Sequence, residues 1–426
     1  MSASSITRIR GRRVFDSRGR PTVEAEVQLE GGPIGRAIAP SGASRGSREA
    51  IDLRDGGARF GGYDVMRAVA NIDGPIAALL RGADAAEQAH IDRLLIDADG
   101  TPNKSKLGGN AIVAVSLAVT HAAAAARNMP VWQYVAGDQR VTLPLPEIQI
   151  FGGGAHAGRR IDIQDLMVMP IGAQTFGEAL AMIADIYRAA GTLMQDAGKL
   201  AGVADEGGHW PLFDSNEDAL TMLVRAIEHA GLRPGVDAAL SLDIAASELA
   251  SDGRYRLALD GLDLDRDGMA ELVLHWLEHF PIASIEDPFA EDDVTGWKRF
   301  TAAAGSRAQI VGDDLLTTHA ERVVEAASEH LCNAALIKPN QAGTVTEARA
   351  ALEAAKRASF GTIVSARSGE SEDVSIVYLA VGWNAGQIKV GSFARSERMA
   401  KWNELIRIEE ALGNDAPYAG HRALVR

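Results

Sequence analysis

The strongest constraint on this chain is a series of short apolar runs in its second half, each closed by or leading into a polar residue. They are Leu240-Ser241-Leu242-Asp243, Ile282-Ala283-Ser284-Ile285-Glu286, Gln309-Ile310-Val311-Gly312-Asp313, Ala335-Leu336-Ile337-Lys338, Thr362-Ile363-Val364-Ser365 and Gln387-Ile388-Lys389-Val390. From Asp243 through Glu286, Asp313, Lys338 and Arg367 to Lys389 the intervals are 43, 27, 25, 29 and 22 residues. A strand, a crossover helix and two loops need about that length, so the pattern reads as successive βα units. Parallel barrels carry their functional groups at the C-terminal ends of the strands. Six charged positions in such places predict an α/β barrel with a working mouth.

The first half has a different character. Val23, Ala25, Val27 and Leu29 alternate with Glu24, Glu26 and Gln28, the period of a half-buried strand. Alanine-rich helical sequence fills roughly 64–127, and Gly137 to Pro146 reads as a connection. A length of 426 residues calls for two domains, or a barrel with an extension. The boundary is set at 138/139, giving domains 1–138 and 139–426.

The formal net charge of -14 argues against nucleic acid or an anionic membrane as partner. It leaves an anionic small substrate open, because a bound metal ion reverses the local sign. The one cysteine, Cys332, permits no intrachain disulfide and fits a reducing compartment. The N-terminal stretch lacks the apolar core of a signal peptide, and the most apolar stretch, Ala111 to Ala126, contains Ser116, Thr120 and His121. A cytoplasmic protein with no membrane partner is expected.

Asp243, Glu286 and Asp313 on neighbouring strand ends would repel one another without a cation. Hard oxygen donors with no His/Cys cluster select Mg²⁺ or Mn²⁺. Lys338 and Lys389 belong to later strands, across the mouth from the carboxylates, and a lysine beside a metal and a second cation can serve as a base. Glu206, in the glycine turn Asp205-Glu206-Gly207-Gly208-His209-Trp210, is a candidate general acid. Arg367-Ser368-Gly369 offers a bidentate phosphate contact, and His156 follows a flexible Gly152-Gly153-Gly154 run.

Together these strings resemble enolase, the phosphopyruvate hydratase family, along nearly the whole chain. The matching stretches include Phe15-Asp16-Ser17-Arg18-Gly19, Pro40-Ser41-Gly42-Ala43-Ser44, Asp205-Glu206-Gly207-Gly208, Ser284-Ile285-Glu286-Asp287, Gly312-Asp313-Asp314-Leu315, Ile337-Lys338-Pro339-Asn340-Gln341 and Arg367-Ser368-Gly369-Glu370. The resemblance implies an enolase-like (β/α)8 barrel with an irregular ββαα start, preceded by an N-terminal α+β capping domain. It also implies a homodimer or higher homo-oligomer and two Mg²⁺ ions per site. Asp243, Glu286 and Asp313 match the ligands of the first ion, and Ser41, on a mobile loop, helps bind the second. Lys338 matches the base that takes the C2 proton of 2-phosphoglycerate, and Glu206 matches the acid that helps the 3-hydroxyl leave. Lys389 matches the carboxylate contact, Arg367 and Ser368 the phosphate contacts, and His156 and Gln164 the pocket lining.

The departures cluster in the pocket. Asp165 stands where the family has a catalytic-site glutamate, and Ala366 where it has a histidine. His209-Trp210 replaces Phe-Ala, Arg45 a threonine, Ser47 an acidic residue and Gly152 an asparagine. Metal ligands and the lysine pair are intact. The pattern implies an Mg²⁺-dependent lyase acting on a small phosphorylated or phosphonylated carboxylate. The reaction is that of enolase or a close variant, such as a carboxyphosphonoenolpyruvate synthase-type step of phosphonate/phosphinate natural-product biosynthesis. Ala366 would leave room for a larger phosphorus substituent, Arg45 could meet an extra negative charge, and His209 could replace the imidazole missing at Ala366. A catalytically dead binding protein is the non-enzyme alternative.

Overall fold

The computed structural model describes residues 3–43, 46–413 and 416–425. Strands β1 (Ile6–Phe15), β2 (Pro21–Leu29) and β3 (Ile34–Ile38) form an antiparallel sheet in the order β1-β2-β3. The alternation in β2 sends Val23, Ala25, Val27 and Leu29 into the core. Helices α1 (Gln88–Asp99) and α2 (Gly109–Ala126) follow. By length and composition α2 is apolar enough to cross a membrane, but it is largely buried against β2 and β3. Gly35 makes that packing possible, since a Cβ there would lie 2.1 Å from the Ala118 carbonyl oxygen.

The remainder is the barrel. Strands β4 (Leu145–Gly152) and β5 (Asp165–Met169) open it as an antiparallel pair. Helix α3 (Phe176–Asp196), a hairpin of β6 (Leu200–Val203) and β7 (His209–Pro211), and α4 (Asn216–His229) come next. Regular alternation then sets in: β8 (Ala239–Asp243), α5 (Arg266–His279), β9 (Ile282–Glu286), α6 (Val294–Ala304), β10 (Gln309–Gly312), α7 (Ala320–Ser328), β11 (Ala334–Ile337), α8 (Val345–Arg357), β12 (Gly361–Ser365), α9 (Ser375–Gly382), β13 (Gly386–Ser392) and α10 (Ser396–Leu412). Among the described residues eight strands close the barrel, β4-β5-β8-β9-β10-β11-β12-β13, with β13 pairing in parallel to β4. The barrel and its irregular ββαα opening are therefore as the resemblance implies.

Local chemistry sets where the helices begin. Thr175, Ser215, Asp265, Asp293 and Thr344 each accept the backbone N–H three residues ahead, capping α3, α4, α5, α6 and α8. The strands are buried on both faces, which is why they read as apolar runs.

The N-terminal part docks on the loops that follow the barrel strands. Ser41 and Gly369 exchange backbone hydrogen bonds of 2.9 and 2.8 Å, and the Ala50 N–H donates to the Gln341 carbonyl. Buried Asp92 accepts from Ser116 Oγ at 2.7 Å and from the Thr346 N–H at 3.0 Å, tying α1 and α2 to α8.

Candidate active site

Register brings the carboxylates together. Asp165 lies opposite Asp243, and Asp243 opposite Glu286, across three neighbouring strands. Since β5 runs antiparallel, its first residue, and not its last, stands at the mouth. Asp313 follows β10, and Lys338 follows β11. One cleft is lined by His156, Gln164, Asp165, Glu206, Asp243, Lys338, Ala366, Arg367, Ser368 and Lys389, together with Gly42 and Ala43 of the N-terminal part.

Lys389 Nζ sits among three carboxylates, 2.8 Å from Glu286 Oε2, 2.9 Å from Asp243 Oδ2 and 3.4 Å from Asp165 Oδ2. Burial pulls its pKa down, but Asp243, Glu286 and Asp165 outweigh burial and hold it well above the usual lysine value. Lys338 Nζ donates to Asp313 Oδ2, while Gln341 Nε2 donates to Asp313 Oδ1 at 2.8 Å. Burial, Arg367 and Lys389 depress the Lys338 ammonium, but the Asp313 and Glu286 charges act against them and its pKa stands raised.

Carboxylate crowding is severe. Burial and the Asp243 charge push Glu286 well above the carboxylate range. Burial and then Asp314 and Asp313 do the same to Asp287, although its oxygens accept the Asp313 and Asp314 N–H groups at 3.0 and 2.8 Å. Burial and Asp313 push Asp314 up to about 8. Among the described residues, Glu286 Oε1 is buried with no hydrogen-bond partner. A buried oxygen without a donor among crowded carboxylates fits a hard divalent cation such as Mg²⁺. Asp243, Glu286 and Asp313 offer the oxygens. Among the described residues two groups have ligand atoms within 4.8 Å of one another: Asp287, Asp313 and Asp314, and His156, Asp165 and Glu206.

Glu206 sits in the turn between β6 and β7. Gly207 is required there, with φ at +97° and a virtual Cβ 2.5 Å from the Ala394 carbonyl oxygen. His156 Nε2 lies 3.8 Å from both Glu206 Oε1 and Asp165 Oδ1. Burial raises the Glu206 pKa, but His156, Arg398, Lys389 and Lys338 outweigh it and hold the carboxyl low. For Asp165 burial wins over His156 and Lys389, and its pKa is raised. The two carboxyls facing His156 are thus biased toward opposite protonation states. Gln149, unremarked in the sequence, donates to Asp165 through Nε2 and accepts the Gly208 N–H through Oε1 at 2.9 Å. It fixes the Glu206 turn to the barrel.

Arg367 and Ser368 follow β12. Arg18 Nη1 donates to Ser368 Oγ at 3.2 Å. Gln164 Nε2 donates to Asp243 Oδ2 at 3.2 Å. Ser41 Oγ instead turns to Asp52 Oδ2, 3.1 Å away, and accepts from Arg54 Nη2 at 3.0 Å. Arg45 lies outside the described residues.

His209 does not join the cleft. Its ring packs against Tyr187 on α3 and is absent from the cleft lining. The imidazole missing at Ala366 is not restored by this residue. Trp210 also stays out of the cleft lining.

A family model described as "Enolase, N-terminal domain" matches residues 6–135, and one described as "Enolase, C-terminal TIM barrel domain" matches residues 140–426.

Proposed function

The chain belongs to the enolase family, and we propose that it is an Mg²⁺-dependent lyase that removes the proton next to the carboxylate of a small phosphorylated acid. The observation that carries this reading is the meeting in one cleft of Lys338, Lys389, the buried carboxylates, Arg367 and Ser368. Lys389 would hold the substrate carboxylate, and Arg367 with Ser368 the phosphate. Lys338 Nζ would accept the C2 proton. Glu206, held low by the cations around it, would first take the proton that burial favours on neighbouring Asp165 and then deliver it to the departing 3-hydroxyl, so that 2-phosphoglycerate yields phosphoenolpyruvate and water. Bound among Asp243, Glu286 and Asp313, Mg²⁺ would supply the charge that stabilises the electron-rich carboxylate formed on proton loss. Asp313 then divides its charge between the cation and Lys338, which lets the lysine give up its own proton and act as base.

A second reading is favoured by one observation. Ala366 lines the cleft beside Arg367, and the His209 ring packs against Tyr187 instead. A methyl in place of an imidazole would leave room for a larger phosphorus group, as in a carboxyphosphonoenolpyruvate synthase-type reaction. Mg²⁺-dependent turnover of 2-phosphoglycerate by the purified protein, followed by a panel of phosphonate analogues, separates the two. Rapid turnover of 2-phosphoglycerate supports the enolase reaction. Exchange of its C2 proton without net turnover, with turnover of an analogue, supports the variant. Failure of all substrates together with no Mg²⁺ binding in calorimetry would leave a binding protein.

A further inference from the structure

We infer that Glu49, supplied by the N-terminal domain, is the positioning residue for Arg367 and so for the phosphate subsite of the barrel. The inference rests on the assignment of Arg367 to the substrate's phosphate.

Glu49 is almost completely buried, and its carboxylate forks onto the guanidinium, Oε2 2.9 Å from Nη1 and Oε1 3.2 Å from Nη2. Arg367 lines the cleft and Glu49 does not. The carboxylate therefore stands behind the guanidinium and fixes its plane, as a planar fork pairing does. Burial would depress Arg367, and Glu49, with Asp313 and Asp52, more than offsets it.

Glu49 is itself held. Its Oε1 accepts the Gly46 N–H at 3.0 Å and Gln341 Nε2 at 3.3 Å. The same Gln341 amide reaches Asp313 Oδ1, and its Oε1 accepts from Thr318 Oγ1 at 2.6 Å. Arg367, Glu49, Gln341 and Asp313 thus form a continuous chain from phosphate contact to metal-side carboxylate. The segment carrying Glu49 is pressed onto the barrel, since a Cβ on Gly46 would lie 2.5 Å from Thr317 Cγ2. Proper docking of one domain is what aims an arginine of the other.

Calorimetric binding of inorganic phosphate to the full chain at fixed Mg²⁺ tests this without requiring any particular turnover. The proteins compared are wild type, Arg367→Gln, Glu49→Gln, Glu49→Asp and the double variant Glu49→Gln/Arg367→Gln. Glu49→Gln keeps the side-chain volume and is expected to weaken phosphate roughly tenfold to a hundredfold, the scale of a small misplacement. Mg²⁺ affinity should be unchanged within about twofold. Glu49→Asp should recover part of the loss, and the double variant should bind no worse than Arg367→Gln alone. If Glu49→Gln is too unstable to purify, Glu49→Asp carries the comparison. Wild-type phosphate affinity in both Glu49 variants, with Arg367→Gln impaired, overturns the positioning role. Wild-type affinity in Arg367→Gln overturns the phosphate assignment and this inference with it. Equal loss of phosphate and Mg²⁺ affinity in Glu49→Gln shows a general structural defect and also overturns it.

Discussion

The ring of His209 lies on that of Tyr187, with centroids 4.2 Å apart and planes tilted by 19°, and its Nε2 stands 2.9 Å from the Tyr187 carbonyl oxygen. A carbonyl only accepts, so Nε2 carries the proton. Burial lowers the imidazole pKa, against the carbonyl bond that raises it, and the ring is neutral. The residue holds α3 to β7.

His209→Phe keeps the stack and loses the hydrogen bond. A stability loss of about 0.5–1.5 kcal/mol is expected, read from the urea midpoint, with KM for the substrate unchanged. A tenfold fall in kcat at full stability would return His209 to the chemistry.

Lys338→Ala removes the group that would take the proton. Solvent deuterium exchange at C2 of 2-phosphoglycerate, followed by NMR, should fall by about 10²–10⁴-fold. Mg²⁺ should bind as well or better, because Asp313 no longer shares its charge with an ammonium. Exchange at the wild-type rate would show that another group is the base.

The barrel is legible in the sequence because a strand buried on both faces reads as an apolar run, and its first charged residue marks where it reaches the mouth. Asp243, Glu286 and Lys338 each carry that mark. Asp165 does not, because β5 runs backwards and brings its first residue to the mouth. Only the family resemblance points to it. Glu49 and Gln149 carry no local mark at all, since their partners arrive from distant segments: 318 residues separate Glu49 from Arg367. His209 misleads for a different reason. Nearness to Glu206 in sequence says nothing about direction, because the chain turns at Gly207, with φ at +97°, between the two residues.

Asp92 shows how domain docking is secured. Besides Ser116 and the Thr346 N–H, its carboxylate accepts from Thr346 Oγ1 and from Gln88 Nε2 at 3.0 Å. Asp92→Ala takes this acceptor from the Ser116 hydroxyl and from the Thr346 N–H and hydroxyl, while Gln88 Nε2 keeps the Ser116 carbonyl. A loss of about 2–4 kcal/mol is expected, seen as a lower thermal midpoint. An unchanged midpoint would mean that water satisfies the donors and that docking rests on apolar contact alone.

The most telling pH dependence comes from Glu147, on β4 inside the barrel. Burial pushes its carboxyl from the ordinary 4.5 up to about 7, the Asp243 charge adding to burial while Lys389 and the Ser241 hydroxyl bond at 3.3 Å act against it. Its Oε1 has no partner. Between pH 4.5 and 7 the folded chain keeps a proton that the unfolded chain has released. The unfolded state is then favoured as pH rises, so this residue's contribution is fully present below about 4.5 and is lost as pH climbs through about 7. The full loss amounts to about 3 kcal/mol. Glu147→Gln removes it, so the variant's stability advantage over wild type should grow from pH 5 to pH 8 in paired urea titrations. Other titrating groups are common to both proteins and cancel in the difference. Curves that stay parallel across that range would mean that the carboxyl ionises at its ordinary pKa inside the barrel, with water or a cation beside the oxygen that here has no donor.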